Sequence, residues 1–205
     1  MSQSRNPNKV LSLCVFCGSR PGTDPDFFRL ASELGGMMAS EGIRLVFGGG
    51  AVGLMGAVAD AVVAGNGDAI GVIPDFLANR EISHRSVKLE VVPDMHTRKK
   101  RMFELADAFC VLPGGFGTLE EFFEIVTWRQ LSVHAKPILL ANWNGYWDPL
   151  IAMGQRITDG GFGYGPMEEL LTVVAKVEEI LTSARREIAE IKPNTGPGHP
   201  KLSQA

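Results

Sequence analysis

At 205 residues, 45% of them hydrophobic and 24 of them glycine, the chain has the length for one α/β domain with a full core. Twenty basic residues against 23 acidic ones leave a net charge of −3, which excludes a global field for nucleic acid or an anionic membrane, so any anion site must be local. No apolar run approaches the roughly 20 residues of a membrane span. Three cysteines, an odd number, argue against a disulfide framework and for a reducing, cytoplasmic setting.

Residues 1–9 read as a polar, disordered tail, and 10–16 as a first strand rather than a signal peptide. Cys14 and Cys17 fall at an odd spacing, which in extended chain sends them to opposite faces; they read as core cysteines, not a redox pair. Thr23 or Asp24 then caps a helix that carries Pro25 in its first turn and runs through Phe27, Leu30, Leu34 and Met38. A second strand, 43–47, leads through a glycine turn into a small-residue helix, 54–64. Gly48, Gly50 and Gly53 fit the dinucleotide fingerprint G-x-G-x-x-G, with Asp75 at a tolerable place for the acid that fingerprint wants. The turn Gly48, Gly49, Gly50 equally suits a second cradle, for the rest of a mononucleotide.

Residues 76–88 are polar and irregular, holding Glu81, His84 and Arg85 just past a strand end, where open α/β sheets bind ligands. After a short strand at 89–92, residues 95–105 read as a helix on which Arg98, Met102 and Leu105 share one stripe while Lys100 points away. A charge on the packed side is costly alone, so Arg98 calls for an anion partner, either a ligand phosphate or Glu121.

The stretch 112–121 organises the rest. An apolar strand, 108–112, meets Gly114, Gly115 and Gly117, and a helix follows. Backbone N–H groups in such a turn approach an oxyanion closely, and the helix start adds unpaired donors and the positive end of its dipole. Glu120 and Glu121 place carboxylates in the first helical turn, beside that anion site. Thr118 and Glu121 also satisfy a capping box, a purely structural use of the same residues. A carboxylate at a helix start is held ionised, so Glu121 suits base or electrostatic duty and not acid duty. A strand at 137–141, a helix from Asn144 to Asp159, a last strand at 170–174 and a helix at 176–191 complete the domain, and 192–205 is a disordered tail. The alternation predicts a single-domain α/β fold over 10–191, a Rossmann-like doubly wound parallel sheet flanked by helices. His84, His96, His134 and His199 are scattered, so no metal site is expected.

The motif from Pro113 to Glu121, with Arg98 and Lys99 upstream and the early glycine turn, resembles the Lonely Guy family of cytokinin-activating phosphoribohydrolases, from about Leu11 to Leu181. Sequences of this kind are often labelled lysine decarboxylases, but Lys99 and Lys100 sit in a basic helical cluster with nothing to suggest a cofactor lysine. The resemblance implies hydrolysis of the N-glycosidic bond of nucleoside 5′-monophosphates, N6-modified adenine ribotides and AMP, to free base and ribose 5-phosphate. It implies Arg98 and Glu121 as the catalytic pair. Glu81, Arg98, Lys99, Gly114, Gly115, Phe116, Gly117, Thr118, Leu119, Glu120 and Thr127 become the substrate contacts. It further implies a homodimer with sites near the subunit interface, and no cofactor. The alternatives are a dinucleotide-binding enzyme and a non-catalytic nucleotide sensor built on Gly48, Gly50 and Gly53.

Overall fold

The computed structural model describes residues 11–78, 83–163 and 165–191. The expected tails at 1–9 and 192–205, and Glu81, lie outside the described residues. Seven strands form one sheet: β1 (Ser12–Phe16), β2 (Arg44–Phe47), β3 (Ala69–Pro74), β4 (Lys88–Val92), β5 (Ala108–Val111), β6 (Ile138–Ala141) and β7 (Thr172–Val174). Every pairing is parallel, and the order is β4-β3-β2-β1-β5-β6-β7. Parallel neighbours need long crossovers, which the helices supply: α1 (Pro25–Ser40), α2 (Gly53–Ala64), α3 (Asp75–Ala78), α4 (Met95–Leu105), α5 (Phe116–Gln130), α6 (Asp148–Asp159) and α7 (Val177–Glu190).

Strand side chains alternate between two cores, as a sheet covered on both faces requires. Leu13, Val15, Leu45, Phe47, Cys110 and Leu139 pack against α1, α2 and α7. Cys14, Phe16, Val46, Phe109, Val111 and Leu140 pack against α4, α5 and α6. Cys14 and Cys17 fall in opposite cores, both free thiols, as their odd spacing predicts. No helix among the described residues is long and apolar enough to cross a membrane.

At two helix starts the N-cap side chain itself closes the turn. The Asp24 carboxylate accepts from the Asp26 N–H at 2.9 Å, with Pro25 at the first helical position, and the Asp94 carboxylate accepts from the Thr97 N–H at 2.7 Å. The helix expected from Asn144 begins later, at Asp148, because Asn144 and Gly145 take positive φ (49° and 71°) and hold a short 3₁₀ turn instead. The chain builds outward from β1 through β2 and β3 to β4, then returns to pair β5 with the opposite edge of β1. Loops leaving β1 and β5 therefore diverge, which makes the crevice above them the switch point of the sheet.

Candidate active site

At that switch point α5 begins three residues earlier than the capping box predicts. Gly115, in extended conformation, is its N-cap, and no side chain caps it. Thr118 is the third helical residue and packs under Gly114, where a methyl group on Gly114 would lie 2.1 Å from Oγ1 of Thr118. The N–H groups of Gly115, Phe116, Gly117 and Thr118 meet no acceptor among the described residues, and the hydroxyl of Thr118 has no partner there either. The carbonyls of the same turn are occupied. Pro113 O accepts from the Gly18 N–H at 3.0 Å, and Gly114 O accepts from the Tyr146 hydroxyl at 2.6 Å. With acceptors used and donors bare, the corner is positive toward a cavity of about 200 Å³ lined by Gly18, Arg20, Phe27, Gly114, Gly115 and Tyr146 among others.

Arg98 is buried on the packed face of α4, as its wheel position predicts, while Lys100 is exposed. Among the described residues its hydrogen bonds go to backbone carbonyls and not to Glu121. Nε donates to Val72 O at 3.1 Å and Nη2 to Gly48 O at 3.3 Å. Gly48 is the seat of the guanidinium, since a methyl group there would stand 2.1 Å from Nη2. The rest of that turn is used by the protein itself: Gly49 O accepts from the His84 N–H at 3.0 Å, and Gly50 bridges to Ser83. His84 is buried, and its Nε2 lies 3.0 Å from the Asp60 carboxylate. Gly53, at φ 60°, packs so tightly on the loop after β1 that a methyl group would lie 2.3 Å from the Ser19 carbonyl carbon. The close approach that a dinucleotide pyrophosphate would need is therefore filled by chain.

Glu121 is the sixth residue of α5, past the first turn to which the dipole's influence is confined, and its carboxylate makes no hydrogen bond among the described residues. Burial pushes its carboxyl up to about 7; the charge of Arg98 opposes this and that of Glu120 adds to it. The expectation of a fully ionised, dipole-stabilised carboxylate is thus corrected by desolvation. Lys99, expected as a substrate contact, donates to Glu120 and, at 3.1 Å, pairs with Glu124. Burial pulls its ammonium down, but the hydrogen bonds to the two glutamates outweigh that and hold it above its ordinary value. Phe116 is 93% exposed, Leu119 half-buried, and Thr127 exposed on α5, roughly 14 Å along the axis from Thr118 at 1.5 Å per residue. Sequence reasoning missed Tyr146 and the anchoring role of Gly48; the aromatic after a loop glycine was the only signal for the former. Among the described residues no group of three or more His, Cys, Asp or Glu side chains is placed to hold a metal.

The fold and this corner define a class: a Rossmann-like protein with bare amide donors at the switch point of its sheet, a half-buried glutamate on the same helix and a buried arginine whose charge acts on it. A sequence profile described as possible lysine decarboxylase matches residues 55–184. The chain is 42% identical over 187 residues to a probable cytokinin riboside 5′-monophosphate phosphoribohydrolase of Oryza sativa subsp. japonica, covering 89% of this chain and 84% of that one. It is 43% identical over 182 residues to a cytokinin riboside 5′-monophosphate phosphoribohydrolase of Arabidopsis thaliana, covering 88% and 82%. The chain belongs to this family, the Lonely Guy phosphoribohydrolases. Among solved structures, the molybdenum cofactor carrier protein of Chlamydomonas reinhardtii superposes with a TM-score of 0.67 at 19% identity, over 89% of this chain and 100% of that one. A molybdenum cofactor binding protein of Rippkaea orientalis gives 0.66 at 20% identity, over 88% and 99%. Those two likenesses concern the fold alone.

Proposed function

We propose that the protein hydrolyses the N-glycosidic bond of adenosine 5′-monophosphates, both N6-modified cytokinin ribotides and AMP, releasing the free base and ribose 5-phosphate. The observation that carries this reading is the uncapped start of α5, with four bare N–H groups at the switch point and Glu121 in the second turn of the same helix. The family's named activity points the same way. The phosphate sits on the amides of residues 115–118, with the Thr118 hydroxyl as a further donor. The bond between C1′ and the base nitrogen breaks with its electron pair leaving on the base, and water adds to the resulting ribosyl cation. A carboxyl held near 7 exchanges a proton at working pH. Its ionised form stabilises the cation or takes the proton of the attacking water, and its protonated form returns a proton to the leaving base. Arg98 acts on Glu121 through its charge, keeping a fraction of the carboxyl ionised despite burial.

The protein works as a cytoplasmic homodimer in this proposal. Thr127 lies too far along α5 to reach a ligand on residues 115–118 of its own chain, and the exposed stripe of Phe116, Glu120, Phe123 and Thr127 presents it outward. A second copy packed on that stripe would receive Thr127 into its own site.

Incubation with AMP and with isopentenyladenosine monophosphate, followed by chromatography of the free base, tests the activity. Both should yield base, and Glu121→Gln should bind nucleotide without releasing any. Binding with no release by the parent chain would identify a sensor instead.

A further inference from the structure

Among the described residues Arg98 and Lys99 of α4 and Arg20 at the cavity differ in how far their donors are already engaged. Arg98 is buried and spends Nε and Nη2 on the carbonyls of Val72 and Gly48. Lys99 is spent on Glu120 and Glu124. Arg20 lines the cavity together with Gly18, Gly114, Gly115 and Tyr146, is exposed, and has no hydrogen bond or ion pair among the described residues.

Its backbone is fixed. The Gly18 N–H donates to Pro113 O and the Leu54 N–H donates to Gly18 O, both at 3.0 Å, which ties the loop after β1 to the cradle on one side and to α2 on the other. Gly53 closes the gap so tightly that a methyl group there would lie 2.4 Å from the Arg20 nitrogen. An otherwise mobile cation is thus mounted on a rigid loop at the mouth of the cavity.

A phosphate monoester brings nearly two negative charges to a corner where the helix end offers about half a positive one. Among the described residues no carboxylate lines the cavity to compete for Arg20. We infer that Arg20 is the phosphate-recognising cation of this site, closing its fork of donors over the oxygens that the amides hold from below, and that it selects nucleoside 5′-monophosphates over free nucleosides. The inference rests on the hydrolase reading for the identity of the nucleotide, but not for the phosphate itself.

Calorimetry with ribose 5-phosphate, inorganic phosphate and ribose, on the full chain and on Arg20→Ala and Arg20→Lys, tests it alongside base release from AMP and from adenosine. Arg20→Ala should weaken ribose 5-phosphate binding by about 10- to 100-fold and raise the KM for AMP by a similar factor, with the loss falling in KM rather than kcat. Arg20→Lys should recover part of the affinity, and any cleavage of adenosine should be indifferent to both changes. Ribose 5-phosphate binding within twofold of the parent in Arg20→Ala, or no binding of either phosphate by the parent chain, overturns the assignment. Arg20-dependent binding without base release from any nucleotide leaves the assignment standing and removes the hydrolase reading; base release that ignores Arg20 does the reverse.

Discussion

Replacing Gly48 by alanine tests how Arg98 is held. The new methyl group would stand 2.1 Å from Nη2 and 3.4 Å from the guanidinium carbon. Ordinary contact needs about 3.5 Å, so the guanidinium must withdraw by more than about 1 Å. Gly48 is not among the residues with positive φ, so alanine adopts the same backbone, and the movement falls on the flexible end of a side chain. The fold therefore survives while Arg98 loses its bond to Gly48 O and its position relative to Glu121. A lost hydrogen bond from a charged donor is worth about 1.5–3 kcal/mol, or about 10- to 150-fold in kcat/KM. The assay is base release from AMP, with thermal melts to verify folding, run as a cycle of Gly48→Ala, Arg98→Ala and the double variant. The double variant should be no slower than Arg98→Ala, because both changes strike one interaction. A Gly48→Ala enzyme at the parent rate, or a double variant slowed by the product of the two single effects, would refute the reasoning.

Two further outcomes follow from the same site. Glu121 titrates from an ordinary 4.5 to about 7, so the native state retains a proton that the unfolded chain releases, and stability falls as pH rises through that window. A gap of that size is worth about 3 kcal/mol above pH 7, so Glu121→Gln should unfold at higher urea than the parent at pH 8 by up to that amount, with the difference gone near pH 4; equal stability at pH 8 would show that burial does not strain this carboxyl. For the dimer, Thr127→Ala should lose at least tenfold in activity. Mixing it with inactive Glu121→Gln and allowing subunits to exchange should restore about a quarter of the parent rate, since half the dimers are mixed and one site in each is whole. No recovery on mixing would place Thr127 in the service of its own chain.

The strands were legible because each has short apolar runs bounded by glycine or polar turns, and the face alternation of Cys14 and Cys17 was fixed by period alone. Arg98 was readable as a buried cation from its helical stripe. Its partners were not, because they are backbone carbonyls of Val72 and Gly48, which carry no sequence signal. The start of α5 was misjudged for a related reason. Thr118 and Glu121 have the spacing of a capping box, but the side chain of Thr118 is drawn under Gly114 and the helix begins at Phe116. That shift carried Glu121 out of the first turn, so burial rather than the dipole governs its proton. Lys99 reads as one of a basic run, and only the packing of α4 beside α5 reveals that Glu120 and Glu124 have claimed it.

The hydrogen bonds that fasten the loop after β1 to Pro113 and to α2 have an entropic consequence. The turn at the head of α5 borders the cavity through Gly114 and Gly115, on segments already held in place by the surrounding chain. In the proposed binding mode a sugar phosphate surrenders its own freedom and little of the protein's, so the heat-capacity change of association should reflect the area covered rather than a loop folding around the guest.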